Sequence, residues 1–492
     1  MAMLQVKNLT FGYEGNAEDI FNQLSFQADT DWRLGLIGRN GRGKTTLLKL
    51  LAGTLSGSGS ITSPAAFSYF PYPVDQTAET LEAALRPVLE EAGSWQLRRE
   101  LSLLGAAPEI LKQPLKTLSP GERAKAMLAA LFLREDQFLL IDEPTNHLDM
   151  QGRALLSAYL KRKRGFMIVS HDRMFLDGCV DHIMALNKNG IEIQSGNFTS
   201  WDENRRRTEQ FEQGRQDQLR KEIRKLEAAV RENARWSEQA EKEKKGKNAA
   251  GLHPDRGYLG KKAAKGMKRA KNIERRREAA AAEKKKLLLN RESVEALKLH
   301  PEQHHSRRLV ALDEVSLCFA GRTVVSHLSF TVEQGDRLAI CGQNGSGKSS
   351  ILRLIRGEIE PAAGICRVAS GLKISDLPQE TRHLSGGLRD FIRMRGLEES
   401  RFKTILRKLD FTRAQFEIPL EYLSEGQRKK LLIAACLCES AHLYIWDEPL
   451  NYIDVFSRMQ LEELLLESRP TMIFVEHDAV FCRNIATKTM TL

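Results

Sequence analysis

The chain of 492 residues is too long for one hydrophobic core, so two or three domains are expected. It contains 41% hydrophobic residues, but no apolar run approaches the roughly 18 to 20 residues of a membrane-spanning helix, which favours a soluble protein. Seven scattered cysteines without a CxxC spacing argue against a disulfide framework or a zinc site. The N-terminus has no signal-peptide pattern, which favours a cytoplasmic location.

The first motif along the chain is a glycine-rich loop between an apolar strand and a helical stretch, with the pattern GxxxxGK[ST]. In such a loop the backbone N–H groups surround phosphates, Lys44 reaches the terminal phosphates, and Thr45 offers a hydroxyl to Mg²⁺. The expected ATP-binding residues here are Gly38, Arg39, Asn40, Gly41, Arg42, Gly43, Lys44, Thr45 and Thr46. Tyr13, before the loop, is a candidate for stacking on adenine, with core packing as the alternative.

An apolar strand, FLLIDEP, ends in two acids about 98 residues after the first glycine-rich loop. Asp142 is placed to support the Mg²⁺ shell, and Glu143 to orient or deprotonate the attacking water. One acid pair alone could merely cap a helix. Its recurrence at the same distance in the second half, as Asp447 and Glu448, favours catalysis of ATP hydrolysis.

The whole series of motifs occurs twice in the same order. Lys44 recurs as Lys348 and Asp142 as Asp447, with offsets of 304 and 305. The second loop contributes Gly342, Gln343, Asn344, Gly345, Ser346, Gly347, Lys348, Ser349 and Ser350, with Ser349 as a metal ligand and Phe319 as the second adenine-stacking candidate. Alternating strands and helices in each half predict a parallel α/β sheet.

The net charge of +11 is concentrated between the halves. Residues 202–300 contain 29 Lys and Arg against 17 Asp and Glu, a local excess of +12. Leu219, Ile223, Leu226 and Val230 recur at helical steps, and breakers cluster near 244–262, which predicts a two-helix hairpin with its tip there. So many cations favour a polyanionic partner.

The sequences LSPGER and LSEGQR resemble the LSGGQ signature of ATP-binding cassette proteins. The resemblance implies that Ser119, Gly121, Ser424 and Gly426 offer donors to the γ-phosphate held by the other half. It also implies that His171 and His477 are switch histidines and that Gln379 contacts the metal. A cleaner LSGG at 384–387 lies too soon after Lys348 and is interpreted as a decoy.

The first half departs from this pattern, because Tyr72 stands where the second half has Gln379, with Gln76 as a candidate substitute. The first ATP site is therefore expected to hydrolyse more slowly.

Two cassettes around a charged segment of about 100 residues resemble the ABC-F family, with IDEPTNHLD, VSHDRMFLD and GNFTSW as shared motifs. LYIWDEPLNYIDV and MKRAKNIERR are similar to its antibiotic-resistance branch of the Lsa type. The implied fold is α/β: cassette domains at 1–201 and 301–492, joined by a helical hairpin at 202–300.

The implied function is ATP-dependent protection of the 70S ribosome from lincosamides, pleuromutilins and streptogramin A. In it the factor binds the tRNA exit site and its hairpin tip reaches toward the peptidyl-transferase centre, with 23S rRNA and the P-site tRNA as partners, and hydrolysis drives release. A monomer is expected, without a membrane subunit or DNA. Phosphate neutralisation and base stacking are the roles expected of Lys261, Lys262, Lys265, Lys268, Arg269, Lys271, Leu252, Tyr258 and Leu259, and a solvated helical surface is the alternative.

Three other functions share some of these features. A housekeeping translation or ribosome-assembly factor would carry all the motifs and differ in the length and chemistry of the tip. A nucleic-acid-repair ATPase would explain the basic hairpin but is expected to have an additional basic tail. A transporter motor would need a membrane partner, and its cassettes rarely share a chain with a basic hairpin.

Overall fold

In the computed structural model the chain forms two compact units, one of Met1–Trp201 with Glu295–Leu492 and one of Asp202–Val294. The structure describes residues 3–13, 19–89, 93–134, 136–146, 148–187, 190–211, 214–215, 218, 221, 297–319, 322–343, 345–381 and 384–492. Most of the predicted hairpin lies outside these residues, including all nine candidate RNA-binding side chains, and so does Asn344. None of the helices in the described part is both long and apolar enough to cross a membrane.

Among its described residues, the first half contains nine strands and six helices before a further helix at 198–211. The strands are β1 (Met3–Phe11), β2 (Phe21–Asp29), β3 (Arg33–Gly38), β4 (Ser58–Thr62), β5 (Ala66–Phe70), β6 (Gln137–Asp142), β7 (Phe166–Val169), β8 (His182–Asn187) and β9 (Gly190–Ser195). The helices are α1 (Lys44–Leu51), α2 (Leu81–Leu89), α3 (Ser94–Leu103), α4 (Pro120–Leu131), α5 (Met150–Leu160), α6 (Arg173–Cys179) and α7 (198–211), with 3-10 turns at Pro108–Lys112 and Leu115–Thr117.

The second half repeats this order. Its strands are β10 (Arg308–Phe319), β11 (Arg322–Glu333), β12 (Arg337–Cys341), β13 (Ala363–Val368), β14 (Ile374–Leu377), β15 (Leu443–Asp447), β16 (Met472–Val475) and β17 (Lys488–Thr491). Its helices are α8 (Lys348–Ile355), α9 (Leu388–Met394), α10 (Glu399–Lys408), α11 (Glu425–Cys438), α12 (Val455–Ser468) and α13 (Ala479–Ile485), with 3-10 turns at Ala414–Phe416 and Leu420–Tyr422.

Each half combines a small antiparallel sheet with a larger, mainly parallel one. The strand orders are β2-β1-β4 and β5-β6-β7-β3-β8-β9 in the first half, and β11-β10-β13 and β14-β15-β16-β12-β17 in the second. The central strands are apolar because helices cover both faces of a parallel sheet, and every residue of β15 and β16 is buried. The predicted α/β fold with two duplicated domains is confirmed.

Both phosphate-loop strands occupy the same place in their sheets. β3 lies between β7 and β8, and β12 lies between β16 and β17, all parallel. The acid-bearing strands β6 and β15 each lie one strand away, beside β7 and β16. Because all these strands run in parallel, their carboxyl ends meet at one edge of each sheet, where ligands bind in open α/β folds.

The helical part of the second half depends on an apolar core beneath α10 and α11, in which Phe402 is fully buried. Replacing it with alanine (Phe402→Ala) removes packed atoms and leaves a cavity, at an expected cost of about 3–5 kcal/mol. The matched control Tyr422→Ala removes an aromatic side chain that is 78% exposed and should change stability by less than about 0.5 kcal/mol. Equal shifts of the denaturation midpoint in both variants would contradict this account of the core.

Candidate nucleotide-binding sites

The two glycine-rich loops lead into their helices in the same way. Gly43 and Gly347 precede α1 and α8 with φ of +88° and +95°, in the left-handed region that favours glycine. A Cβ added at Gly43 would lie 2.5 Å from Ile20 Cγ2, so a side chain there would collide with the loop's support. The backbone N–H groups at these helix starts are therefore available to phosphate oxygens.

The loop lysines are held within their own loops. Lys44 Nζ donates to Gly38 O at 2.8 Å, and Lys348 Nζ donates to Gly342 O at 2.9 Å and to Gln343 O at 2.8 Å. Both lysines are buried. Each ammonium group is thus fixed inside the curve of the loop, where a terminal phosphate would bind.

The metal-ligand candidates lie together at both sites. The hydroxyls of Thr45 and Ser349 are close enough to Asp142 and Asp447, respectively, to lower the pKa of these carboxyls. Each aspartate also keeps one buried oxygen, Oδ1, without a hydrogen bond to any described residue. Burial raises the pKa of Asp447 to about 6, and it also raises the pKa of Asp142. A divalent cation would supply the missing partner for these oxygens.

The next acids, Glu143 and Glu448, share an unusual backbone conformation. Their φ angles are +48° and +46°, rare for residues other than glycine, and their N–H groups donate to Val169 O and Val475 O at 3.0 Å. His171 Nε2 lies 3.1 Å from Glu143 Oε1, and His477 Nε2 lies 3.6 Å from Glu448 Oε1. The fold therefore brings together the predicted acid and switch histidine of each site, and strain of this kind is common at active sites.

The two glutamates differ in their ionisation. Burial, together with the charge of Asp142, raises the pKa of Glu143 to about 8. Burial also opposes the charge of Glu448, but the nearby His477 and the hydrogen bond from Gln379 outweigh it and hold the pKa below its ordinary value. Gln379 Nε2 donates to Glu448 Oε2 at 2.8 Å. At neutral pH the two sites therefore contain catalytic candidates in different protonation states.

The signature serines are the N-caps of α4 and α11. Ser119 accepts a hydrogen bond from Glu122 N at 3.2 Å, and Ser424 accepts one from Gln427 N at 3.3 Å. Each caps a helix whose free N–H groups and positive dipole end point outward. This geometry suits an anion presented from outside the helix.

One composite site is a cavity of about 1320 Å³ lined by both halves. The first half supplies the start of α4, and the second half supplies its phosphate loop and acids. The predicted residues that line it are Ser119, Gly121, Gln343, Gly345, Gly347, Lys348, Ser349, Ser350, Gln379, Glu448 and His477. The structure thus joins the first signature motif to the second phosphate loop, and we call this cavity site two.

Site one, formed by the first phosphate loop and the second signature motif, is closed by direct contacts. Asn40 Nδ2 donates to Tyr452 O at 2.7 Å, and Asn40 N donates to Asp454 Oδ2 at 3.3 Å. A Cβ at Gly426 would lie only 3.0 Å from Asn40 Nδ2. Arg39 also forms an ion pair with Asp410.

The ion pair at site one has no equivalent at site two, because the sequence differs there. The counterparts of Arg39 and Asp410 are Gln343 and Gly105, which carry no charge. Asp410 and Gly105 share the same left-handed backbone, with φ of +66° and +64°. The two sites are therefore unequal in their side chains although their main chains match.

The region of Tyr72 differs from that of Gln379. Tyr72 Oη donates to Met127 O at 3.1 Å and packs against the core, whereas Tyr69 Oη donates to Asp142 Oδ2 at 3.0 Å. Gln76 is exposed. Tyr69 is thus a residue that contacts the metal-ligand candidate of site one and that motif comparison missed.

The remaining sequence-predicted positions are more peripheral. Tyr13 is 42% exposed, its hydroxyl lies 3.3 Å from Thr46 Oγ1, and its ring packs on Phe11, while Phe319 is 39% exposed at the end of β10. The contact with Thr46 places Tyr13 beside the first phosphate loop, whereas Phe319 does not line the cavity of site two. At the LSGG decoy, Gly386 N donates to Glu421 Oε2 at 2.9 Å, and the segment does not line the cavity.

Sequence reasoning missed several residues that close site one, above all Asp454 and Lys430. Lys430 Nζ lies 2.8 Å from Asp454 Oδ2 in a pair that is almost fully buried. The signal was available, because Asp149 and Asp454 recur at the offset of 305 like the other motifs. Their role as contacts between halves depends on how the halves pack.

A duplicated α/β fold with two phosphate loops, each facing the signature motif of the other half, defines a tandem ATP-binding cassette protein. The family model described as "ABC transporter" matches residues 21–146 and 325–451. Among curated relatives, the chain is 27% identical to "Ribosome protection protein VmlR" of Bacillus subtilis, covering all of this chain and 87% of that protein. It is 30% identical to "ATP-binding protein Uup" of Caulobacter vibrioides, covering 97% of this chain and 75% of that one.

Solved structures support the fold. The archaeal ribosome recycling factor aABCE1, solved with the stalk protein aP1, has a TM-score of 0.61 at 18% identity, covering 98% of this chain and 87% of that chain. The chain belongs to the ABC-transporter family of ATPases and, with two such domains and these relatives, to its ABC-F branch. It is therefore an enzyme that hydrolyses ATP.

The one-sided ion pair predicts different nucleotide access at the two sites. Asp410→Gly recreates the residue found at site two without backbone strain, and it removes one of the contacts that close site one. We expect two phases of binding for a fluorescent ATP analogue, and the slower phase should accelerate about 1.5- to 5-fold, the range for a partly exposed ion pair. The exposed control Asp390→Asn should leave both phases unchanged, and an unaltered slow phase in Asp410→Gly would refute the assignment.

The unequal glutamates predict different pH profiles. With Glu448→Gln blocking site two, hydrolysis at site one requires ionised Glu143 and should rise roughly 20-fold from about pH 6.5 to 8.5, because a pKa near 8 leaves the acid protonated below it. With Glu143→Gln blocking site one, Glu448 is already ionised and hydrolysis should be nearly flat over this range. Steady-state phosphate release tests this, and superimposable profiles would contradict the difference.

Proposed function

We propose that this chain is an ATP-dependent ribosome-binding factor that protects bacterial ribosomes from antibiotics of the peptidyl-transferase centre. The observation that carries the ATP-driven part is the composite cavity, in which the start of α4 in the first half faces Lys348 and Glu448 in the second. A site assembled from both halves changes whenever nucleotide draws them together. The ribosomal part is supported by similarity to a ribosome protection protein along the entire chain.

The residues present fit Mg²⁺ with ATP at both sites. Thr45 with Asp142, and Ser349 with Asp447, supply the hard oxygen ligands that this cation prefers, and the buried Oδ1 atoms lack other partners. The cation, when bound, neutralises charge that develops on the phosphates. Gln379, which donates to Glu448, is suited to join this shell at site two.

The protein's own groups account for the rest of the hydrolytic cycle. Lys44 and Lys348 hold the terminal phosphates, and Ser119, Gly121, Ser424 and Gly426 present donors from the opposite half. Glu143 and Glu448 orient the attacking water and accept its proton, with His171 and His477 beside them. ATP thus closes the pair of halves, and hydrolysis opens it.

The basic segment at 202–300 is the proposed contact with the ribosome. Its excess of +12 favours phosphate-rich partners, with Lys261, Lys268 and Arg269 among the cations next to the expected tip. Tyr258 is suited to stack on an RNA base. In the bound, closed form this segment would approach the P-site tRNA and 23S rRNA, and it would displace the drug or reshape its site.

The cycle predicts that blocked hydrolysis traps the factor on ribosomes. Glu143→Gln with Glu448→Gln preserves shape but removes both proton acceptors, so the variant should remain bound with ATP at least 10-fold longer than the parent, in line with the rate lost with a general base. Ribosome pelleting after dilution measures this. The ATP-binding control Lys44→Ala with Lys348→Ala should not associate, and a glutamine variant that dissociates at the parental rate would refute the cycle.

Drug protection and a housekeeping role differ in a growth assay. Expression of the parent in a sensitive bacterium should raise the inhibitory concentration of a lincosamide or pleuromutilin, whereas the Lys44→Ala and Lys348→Ala control should not. Ribosome binding without any change in susceptibility would favour the housekeeping factor.

A further inference from the structure

A buried arginine in the first half connects the loop of His171 and Asp172, which we call the first switch loop, with the loop of His477 and Asp478, the second switch loop. Arg173 follows His171 and Asp172 directly, and its guanidinium crosses to Glu462 on α12, where Nη1 donates to Oε2 at 2.9 Å and Nη2 donates to Oε1. Both side chains are less than 10% exposed. The pairing is bidentate, the geometry in which an arginine fixes orientation as well as charge.

The same guanidinium also reaches the second switch loop. Arg173 Nη2 lies 3.8 Å from Asp478 Oδ1, and Asp478 follows His477 in the chain. Asp478 caps α13 by accepting from Val480 N and Phe481 N at 3.0 Å, and it accepts from Arg458 Nη1 at 3.2 Å. A shift of His477 therefore moves the carboxylate that faces Arg173.

The first switch loop is anchored in a parallel way. Asp172 caps α6 by accepting from Phe175 N at 3.0 Å, and it accepts from Arg153 Nη1 at 3.0 Å. Arg173 is the first residue of α6. The path from one histidine to the other thus runs through two helix caps and a single guanidinium.

The duplicated positions cannot form a second connection of this kind. The counterpart of Arg173 is Ala479, and the counterpart of Glu462 is Ser157, whose hydroxyl donates to Phe175 O within its own half at 3.1 Å. Neither can form an ion pair. The asymmetry is therefore encoded at these positions, while the capping aspartates are present in both halves.

A purely structural ion pair is the competing explanation. Buried pairs recover little net stability, because desolvation offsets their attraction, and apolar substitutes of similar volume often serve as well. Stability alone does not explain why the same guanidinium, which follows Asp172 in the chain, also lies 3.8 Å from Asp478, so that it is close to both switch histidines. A bistable contact between two sites is the kind of element that coupling requires.

We propose that Arg173 is a positioning residue that couples the two ATP sites, transmitting the position of His477 at site two to His171 at site one through Glu462 and Asp478. Occupation or hydrolysis at one site then changes the rate at the other. The proposal rests on ATP hydrolysis by the paired cassettes and is independent of ribosome binding.

The test removes the pair without leaving an unpaired charge. The double variant Arg173→Met with Glu462→Gln is compared with the parent. Rates of ATP hydrolysis are measured for each of the two with both sites intact, with site one blocked by Glu143→Gln, and with site two blocked by Glu448→Gln. In the parent, the rates of the two single-site enzymes should sum to no more than about one fifth of the full rate, the lower range of allosteric coupling. In the uncoupled variant the rates of the two single-site enzymes should add up to that variant's full rate, with a Hill coefficient near 1 for ATP.

A matched control and a swap separate coupling from stability. Arg33→Met removes another arginine ion pair, Arg33 Nε to Asp181 Oδ2 at 2.9 Å, which is more exposed and stays within the first half. It should leave unchanged the ratio of the summed single-site rates to the full rate. Arg173→Glu with Glu462→Arg should restore part of the coupling. The proposal would be overturned if the Arg173→Met and Glu462→Gln variant had the same ratio of summed single-site rates to full rate as the parent. It would also be overturned if the single-site rates of the parent added up to its full rate.

Discussion

The constraint on which the structure depends is that neither half contains a complete site for a triphosphate. Each loop supplies a lysine and the backbone N–H groups around the phosphates, but the capped helix facing the loop comes from the other half. Anionic phosphates need donors on several sides, and a single parallel sheet edge supplies them from one direction. Pairing of the halves is therefore part of the active-site chemistry.

The repeat makes the two sites alike, and a few substitutions make them unequal. The main chain is the same at Glu143 and Glu448, including the left-handed φ. Glu448 gains a donor from Gln379, whereas Asp142, the neighbour of Glu143, is bonded by Tyr69. Duplicated sites can thus diverge in chemistry through one or two side chains, because the scaffold fixes their positions.

The links between the halves follow the same principle. Arg39 with Asp410 and Arg173 with Glu462 are formed by residues whose counterparts carry no charge. Ion pairs across an interface contribute more to orientation than to affinity. Because the equivalent residues cannot form these ion pairs, the paired halves are asymmetric, whereas an exact repeat would be symmetric.

The sequence by itself determined the duplicated α/β fold and the residues of each phosphate loop, because glycines, Lys44 and the acids act through local backbone geometry at fixed spacing. It did not reveal Asp454 or Tyr69, and Arg173 stood in a recognised motif without an assigned partner. Only the tertiary structure decided these contacts, since partners such as Arg173 and Glu462 lie 289 residues apart in the chain. Such pairings depend on how two folded halves pack, and no local periodicity or spacing records that.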